Sequence, residues 1–246
     1  MLKHVLICIN LLFLPVFAFA ATSPQAQLPT ILKQADDYFS AVNGLMIGAN
    51  KAAVEDVYHQ GQAVAYRLVN VLESLSDTDY QSVETKMLGF SLNRVDSVYV
   101  EPDVVFFLSL SKNRGAAADK DFFVFLGGLK LKNGWPVYRE WLPDNSGCTA
   151  FGRGVLTDHY RNATAFQKKY PAAYRTDIDE ALGQLRREFS ESTCACGDRE
   201  SVTKEFALFI AAFPDDAIAP LVRKRMAEVK SAAPSIRFKC TSDLTK

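Results

Sequence analysis

The sequence lacks an excess of charge of either sign: 28 Lys and Arg balance 28 Asp and Glu. Nothing in it sets up the large positive field that a nucleic-acid binder uses, so no nucleic acid is expected as a partner. It has no Walker sequence, no G-x-G-x-x-G after a strand, no H-E-x-x-H and no G-x-S-x-G, so no cofactor and no metal are expected. Histidine is scarce, at three. Beyond the first twenty residues no apolar run reaches the length of a membrane span, and no transmembrane segment is expected in the processed chain. What the chain does have is apolar content. At 48% hydrophobic and 23% charged over 246 residues, it is too apolar for a disordered chain and long enough for one substantial core.

The first twenty residues read as a secretory signal. Lys3 and His4 precede an apolar run from Val5 to Phe17, and Ala18-Phe19-Ala20 forms a small-x-small site before Ala21. Cleavage after Ala20 is expected, giving a soluble product in the periplasm or outside the cell. Cys8 would leave with the signal. Asn162-Ala163-Thr164 fits a glycosylation acceptor, but helical context disfavours its use.

Export changes how the other cysteines are read. Cys148, Cys194, Cys196 and Cys240 are even in number, which in an oxidising compartment suggests two disulfides. Cys194 and Cys196 are poor partners for each other, because one intervening residue makes a strained ring. Each should therefore pair with Cys148 or Cys240, in either combination. A zinc site is the rival, but Cys-Ala-Cys is tighter than the usual ligand spacing.

Residues 21–29, with Pro24 and Pro29, read as a mobile leader, and residues 30–246 as a single domain. Helical periodicity then dominates. Ile31, Leu32, Ala35, Tyr38, Phe39 and Val42 share one face, ended by Asn43-Gly44. Val54, Val57, Tyr58, Gly61, Val64, Ala65, Leu68, Leu72 and Leu75 form one continuous stripe. Ser76 to Asp79 is a cap cluster opening a third helix. Residues 90–110 carry both strand composition and a helix start at Glu101-Pro102-Asp103, and helix is favoured. Phe122, Phe123, Leu126 and Leu129 suggest a further helix. Residues 134–153, with both tryptophans and Cys148, form the least regular stretch and should pack down as an aromatic loop. Four more helical stripes follow, from Leu156, Tyr174, Val202 and Ile218 onward. The expected fold is mostly α: an irregular array of eight to ten helices with a helical-hairpin, repeat-like C-terminal half and two disulfides.

Two segments echo each other. Phe166-Gln-Lys-Lys-Tyr170-Pro171 is matched by Phe209-Ile-Ala-Ala-Phe213-Pro214. In each, an aromatic closes one amphipathic helix and proline forbids its continuation. The second segment, through Phe206, Phe209, Phe213, Pro214, Asp215, Ala219, Pro220, Arg225, Ala227 and Glu228, resembles a tetratricopeptide-type repeat of bacterial envelope proteins. The resemblance covers about thirty residues of the C-terminal part, against a usual period of about 34. It implies a surface that binds proteins rather than an active site.

Few residues suggest chemistry. His59 carries no motif and reads as a surface or boundary residue. Cys148, His159 and Asp158 could form a cysteine–histidine dyad with an acidic orienter, but that needs a reduced thiolate, which export works against. Asp144 and Asp158 offer a carboxylate alternative. Arg223-Lys224-Arg225 is a basic trio whose simplest role is to complement a helix C-terminus. Trp135, Tyr138, Arg139 and Trp141 are the favoured binding residues, because aromatics and arginine in a pinned loop can anchor an interface. The leading expectation is a non-enzymatic protein-binding role, with the partner unnamed. A periplasmic immunity or inhibitor protein acting on a toxin or hydrolase is the second. A hydrolase using the dyad or the carboxylates is the third.

Overall fold

In the computed structural model, residues 24–49, 52–95, 97–130, 135–141, 147–231 and 234–240 are described, with side chains from Gln27 onward. Residues 1–20, read above as a signal, Asp144 and the last six residues lie outside them. The chain folds as a mostly α-helical array with two small antiparallel hairpins. In order these are α1 (Pro24–Met46), α2 (Val54–Leu68), a 3-10 turn (Leu72–Ser74), α3 (Asp77–Lys86), β1 (Phe90–Asn93), β2 (Tyr99–Pro102), α4 (Val104–Arg114), α5 (Ala117–Leu129), β3 (Arg139–Trp141), β4 (Gly147–Thr149), α6 (Val155–Lys169), α7 (Arg175–Glu191), α8 (Arg199–Ala212) and α9 (Ala219–Val229).

The stripe of α2 is buried as its spacing dictates, from Val54 to Leu68. It does not continue as one helix. α2 ends at Leu68, and Leu72 and Leu75 reach the same core through the 3-10 turn. Gly61 marks a close approach. A Cβ there would stand 2.4 Å from the Phe90 ring and 2.8 Å from the Tyr38 ring. Around it Tyr58 meets Phe107, Phe122 and Phe123 edge to face, the arrangement that aromatic quadrupoles favour.

Two expectations need correction. The segment read as a leader, 21–29, is helical from Pro24, with Pro29 inside α1. Proline is well placed at the first helical position, where its missing N–H costs nothing. Residues 90–102 are a hairpin, not a helix, with Phe90 opposite Pro102 and Asn93 opposite Tyr99. The helix starts only after Asp103, whose carboxylate accepts the backbone N–H groups of Val105 and Phe106. Pro102 therefore ends a strand instead of opening a helix.

The C-terminal half is two helical hairpins. α6 packs on α7 and α8 on α9. The echoed segments adopt the same turn: Tyr170 has φ −134° and ψ 72°, and Phe213 has φ −135° and ψ 61°. In both the aromatic's N–H donates to the carbonyl four residues back, at 2.8 Å. Tyr174 then starts α7 in the left-handed region, at φ 49°. It stacks on Phe122 at 3.7 Å between ring centroids, its hydroxyl donates to Asp119 at 2.7 Å, and its N–H donates to Glu55. This one residue ties the C-terminal half to α2 and α5.

The fully buried Glu205 of α8 is the second tie. Its carboxylate accepts from the N–H groups of Gly152 (2.9 Å), Gly154 (2.8 Å) and Thr157 (3.0 Å), and from the Thr157 hydroxyl (2.8 Å). α6 has no cap of its own, so a carboxylate from another helix does that work. Gly152 is at φ +89°, and a Cβ there would lie 2.7 Å from Ser201 Cα, so this corner presses directly on α8.

Two outcomes are expected. Gly61→Ala should cost about 1–3 kcal/mol, as overpacking does, read as a lowered denaturation midpoint at unchanged slope. Glu205→Ala should cost more, because it strands several buried donors. A Glu205→Ala protein as stable as wild type in urea denaturation would remove that carboxylate from its structural role.

Candidate functional site

Of the favoured binding residues, Arg139 and Trp141 lie on the β3–β4 hairpin, in which Glu140 is opposite Cys148 and Trp141 opposite Gly147, while Trp135 and Tyr138 precede it. Tyr138 turns inward, 2% exposed. Burial pushes its hydroxyl up to about 12, with the Glu188 charge adding to the shift. It is core, and the expectation that it lines a binding surface is corrected. Trp141 points out and is 56% exposed. Its ring lies against Trp135, with centroids 4.8 Å apart at 60°. Trp135 Nε1 donates to the Arg139 carbonyl at 3.1 Å, and the Arg139 guanidinium stands 5.9 Å from the Trp135 ring. Arg139 is 3.3 Å from Glu188, and Glu140 pairs with Arg153 at 3.0 Å.

The hairpin is braced from behind. Cys148 pairs with Cys196, and Cys194 with Cys240. The segment 193–197 lies between β4 and the chain near Arg237. Thr149 N–H donates to the Cys194 carbonyl, Cys196 N–H to the Thr149 carbonyl and Ala195 N–H to the Arg237 carbonyl. The Thr149 hydroxyl donates to Glu188 at 2.6 Å. The disulfides close loops of 48 and 46 residues, each worth a few kcal/mol in the chain-entropy model.

Among the described residues the candidate catalytic residues form no cysteine–histidine dyad. Cys148 is fully buried in its disulfide and has no thiolate to offer. Asp158 is exposed and pairs with Arg161. His159 is 9% exposed, with its Nδ1 buried and unpartnered. Its nearest aromatic neighbour is Tyr138, at 6.4 Å between rings. Glu140 comes close to the sulfurs of Cys148 and Cys196, but sulfurs joined in a disulfide are not thiolate ligands. The basic trio is no patch. Arg225 is buried and caps α7, donating to the carbonyls of Phe189 and Ser192. Arg223 donates to the Pro214 carbonyl, and Lys224 pairs with Glu228.

His59 sits at the boundary, as its lack of a motif suggests, but with a partner that the sequence did not mark. Its Nε2 lies 2.7 Å from the Asp177 carboxylate of α7. No local motif marks a pair so far apart in the chain. The Asp177 hydrogen bond raises its pKa; burial opposes the shift, and the charges of Asp177, Glu55 and Asp56 add to it. His159 moves the other way, lowered by burial and only partly restored by Asp158.

Comparison of the chain with protein-family models, with curated proteins and with solved structures returns no match.

The two histidines should act in separate pH windows. A raised folded pKa gives His59 a stabilising contribution that is complete below the ordinary value of 6.5 and lost as pH rises through the folded value. A lowered folded pKa means that His159 destabilises the fold as pH falls below 6.5. Denaturation midpoints measured from pH 5 to pH 9 should show His59→Gln flattening the alkaline limb and His159→Phe the acidic limb. Unchanged limbs in both variants would remove the histidines from the pH response.

Proposed function

We propose that this chain is an exported, non-enzymatic protein-binding protein whose contact surface is the Trp135–Trp141 pair with Arg139. The observation that carries this reading is Trp141 itself. More than half of its surface is open to solvent, yet it is held against a second tryptophan on a hairpin backed by two disulfides. Tryptophan and arginine are the residues most enriched in interface hot spots. A surface ordered before contact also loses little side-chain entropy on binding.

Export is supported by the disulfides, which belong to oxidising compartments. Among the described residues no helix is long and apolar enough to cross a membrane. The repeated helix–turn geometry at Tyr170 and Phe213 supports a tetratricopeptide-like helical scaffold behind the hairpin.

Photo-cross-linking in the cells that make the protein tests this. A photoreactive phenylalanine analogue at position 141 should yield one discrete protein adduct, and Arg139→Ala should reduce it. The same probe at position 66, where Tyr66 is 78% exposed on α2, should yield none. Trp141→Ala should weaken the partner's affinity at least tenfold, the size of a hot-spot loss. It should leave stability within about 0.5 kcal/mol, as exposed positions do. Identical adducts from positions 141 and 66, or none from 141, would place the contact elsewhere. An adduct with a toxin or hydrolase would make the role one of immunity.

A further inference from the structure

The two disulfides hold different parts of the chain. Cys148–Cys196 joins β4 to the segment 193–197. Cys194–Cys240 joins that segment to the strip 236–240 near the end of the chain. The strip runs along the edge of 193–197 that faces away from β4. Arg237 N–H donates to the Thr193 carbonyl, Ala195 N–H to the Arg237 carbonyl, Lys239 N–H to the Gly197 carbonyl and Cys240 N–H to the Ala195 carbonyl. Ile236 is buried at its start.

The strip also stores backbone strain. Lys239 has φ 53°, and among the described residues it shares the left-handed region with one other non-glycine residue, Tyr174. A residue with a Cβ adopts that conformation at a cost and keeps it where its surroundings impose it. Tyr174 is held by a buried ring stack and two hydrogen bonds. The Lys239 side chain is exposed. Its backbone is held by the Gly197 bond and by the disulfide one residue on.

The two bonds differ in how a thiol can reach and break them. Exchange is fast where the attacked sulfur is accessible and the leaving sulfur is stable as a thiolate. Cys148 is fully buried, so its own sulfur is shielded. Attack on Cys196 would expel Cys148 as a thiolate inside the core, with the Glu140 carboxylate within 4.8 Å of both sulfurs. Apolar burial raises the cost of that thiolate. Cys194 and Cys240 are both half-buried, and exposed Arg237 and Lys239 precede Cys240 in the strip. Basic neighbours favour a thiolate.

We infer that Cys194–Cys240 is a thiol-exchange site, a latch that a dithiol opens to release the strip 236–240 while Cys148–Cys196 stays closed. A thiolate of the dithiol attacks Cys240 Sγ, on the outer strip. The Cys194–Cys240 bond breaks, and Cys194 leaves as a thiolate. The second thiol then attacks the dithiol's own sulfur in the mixed disulfide, and Cys240 leaves. The dithiol ends as a disulfide, oxidised by two electrons. Cys194 and Cys240 end as thiols, reduced by the same two electrons and carrying the dithiol's two protons. The strip thereby loses the closure of a 46-residue loop, a constraint that favours the ordered state. Its detachment relaxes Lys239 and leaves the Ala195 N–H and carbonyl unpaired at an open strand edge, which can pair with another strand. The β3–β4 hairpin stays anchored through Cys148–Cys196 and through the Thr149 bonds on the opposite edge. The latch is thus independent of what the tryptophan pair binds.

Timed reduction of the oxidised protein with dithiothreitol, quenched with iodoacetamide and mapped by peptide mass, tests this. Cys194 and Cys240 should be alkylated together, faster than Cys148 and Cys196 by about tenfold or more. In the same samples amide hydrogen exchange across 236–240 should rise by about tenfold or more, while 147–149 stays protected. A protein carrying both Cys194→Ser and Cys240→Ser should show the same fast exchange with no reductant present. Three results would each overturn the inference: equal alkylation rates at all four cysteines, earlier reduction of Cys148–Cys196, or a reduced latch with 236–240 still protected.

Discussion

The buried carboxylate of Glu205 fixes the corner that joins the tryptophan hairpin to α6. The chain leaves β4, turns through Gly152 and Gly154, and enters α6 with no cap of its own. Four donors at that corner converge on one side chain of α8. A carboxylate held by several N–H groups at a helix N-terminus gains both hydrogen bonds and the helix dipole. Without it those donors would face an apolar interior unpaired, which costs far more than the net worth of one hydrogen bond. The direction of α6 sets how its face packs against α5, with Lys169 on Asp121. The start of the corner sets how the tryptophan hairpin meets the core.

The same device recurs. Glu55 of α2 accepts the N–H of Tyr174 where α7 begins, and Arg225 of α9 donates to the carbonyls where α7 ends. Helix ends are the places where a helical protein leaves backbone groups unsatisfied. Here side chains distant in sequence satisfy them, so each cap is also a tertiary contact. α7 is therefore anchored at one end to the N-terminal half and at the other to the last helix. The His59–Asp177 pair adds a further link between α2 and α7.

That division explains what could be read from the sequence. Ser76 before α3, Asp103 before α4 and Asp198 before α8 cap their own helices. Caps of this kind lie within a few residues of what they bind. The stripes of α2, α6 and α7 were legible because burial repeats with the helical period. The excluded Cys194–Cys196 pairing followed from geometry alone, while the choice between the other two depended on the strip that joins β4, 193–197 and Arg237. Glu205, Arg225 and His59 left no such trace. A glutamate inside a helix looks like a solvated charge until the fold brings Gly152 to it. Residues 90–102 misled for a related reason: a short apolar run suits either structure, and the pairing of Phe90 with Pro102 decided it. Of the aromatic loop, the sequence indicated that it packs down. It did not indicate which ring stays outside, because that follows from how the turn before β3 and the hairpin itself meet the core. Tyr138 and Trp141 are both large aromatics in one loop, and one is core while the other is surface.

Register and bracing together make the hairpin unusual for an exposed element. A two-stranded hairpin is marginally stable alone in water. This one is held by a disulfide at Cys148, by backbone bonds from Thr149 to the 194–196 segment and by the Thr149 hydroxyl on Glu188. Glu188 also approaches Arg139, so one carboxylate serves both the scaffold and the exposed face. On the proposed reading, the cost of ordering Trp141 and Arg139 is met on folding instead of at contact. A small patch can then bind tightly, since affinity follows the quality and preorganisation of a few anchors more closely than buried area. A chain that carries its brace as covalent bonds keeps that advantage only where cysteines stay oxidised, which ties the proposed contact surface to the proposed export.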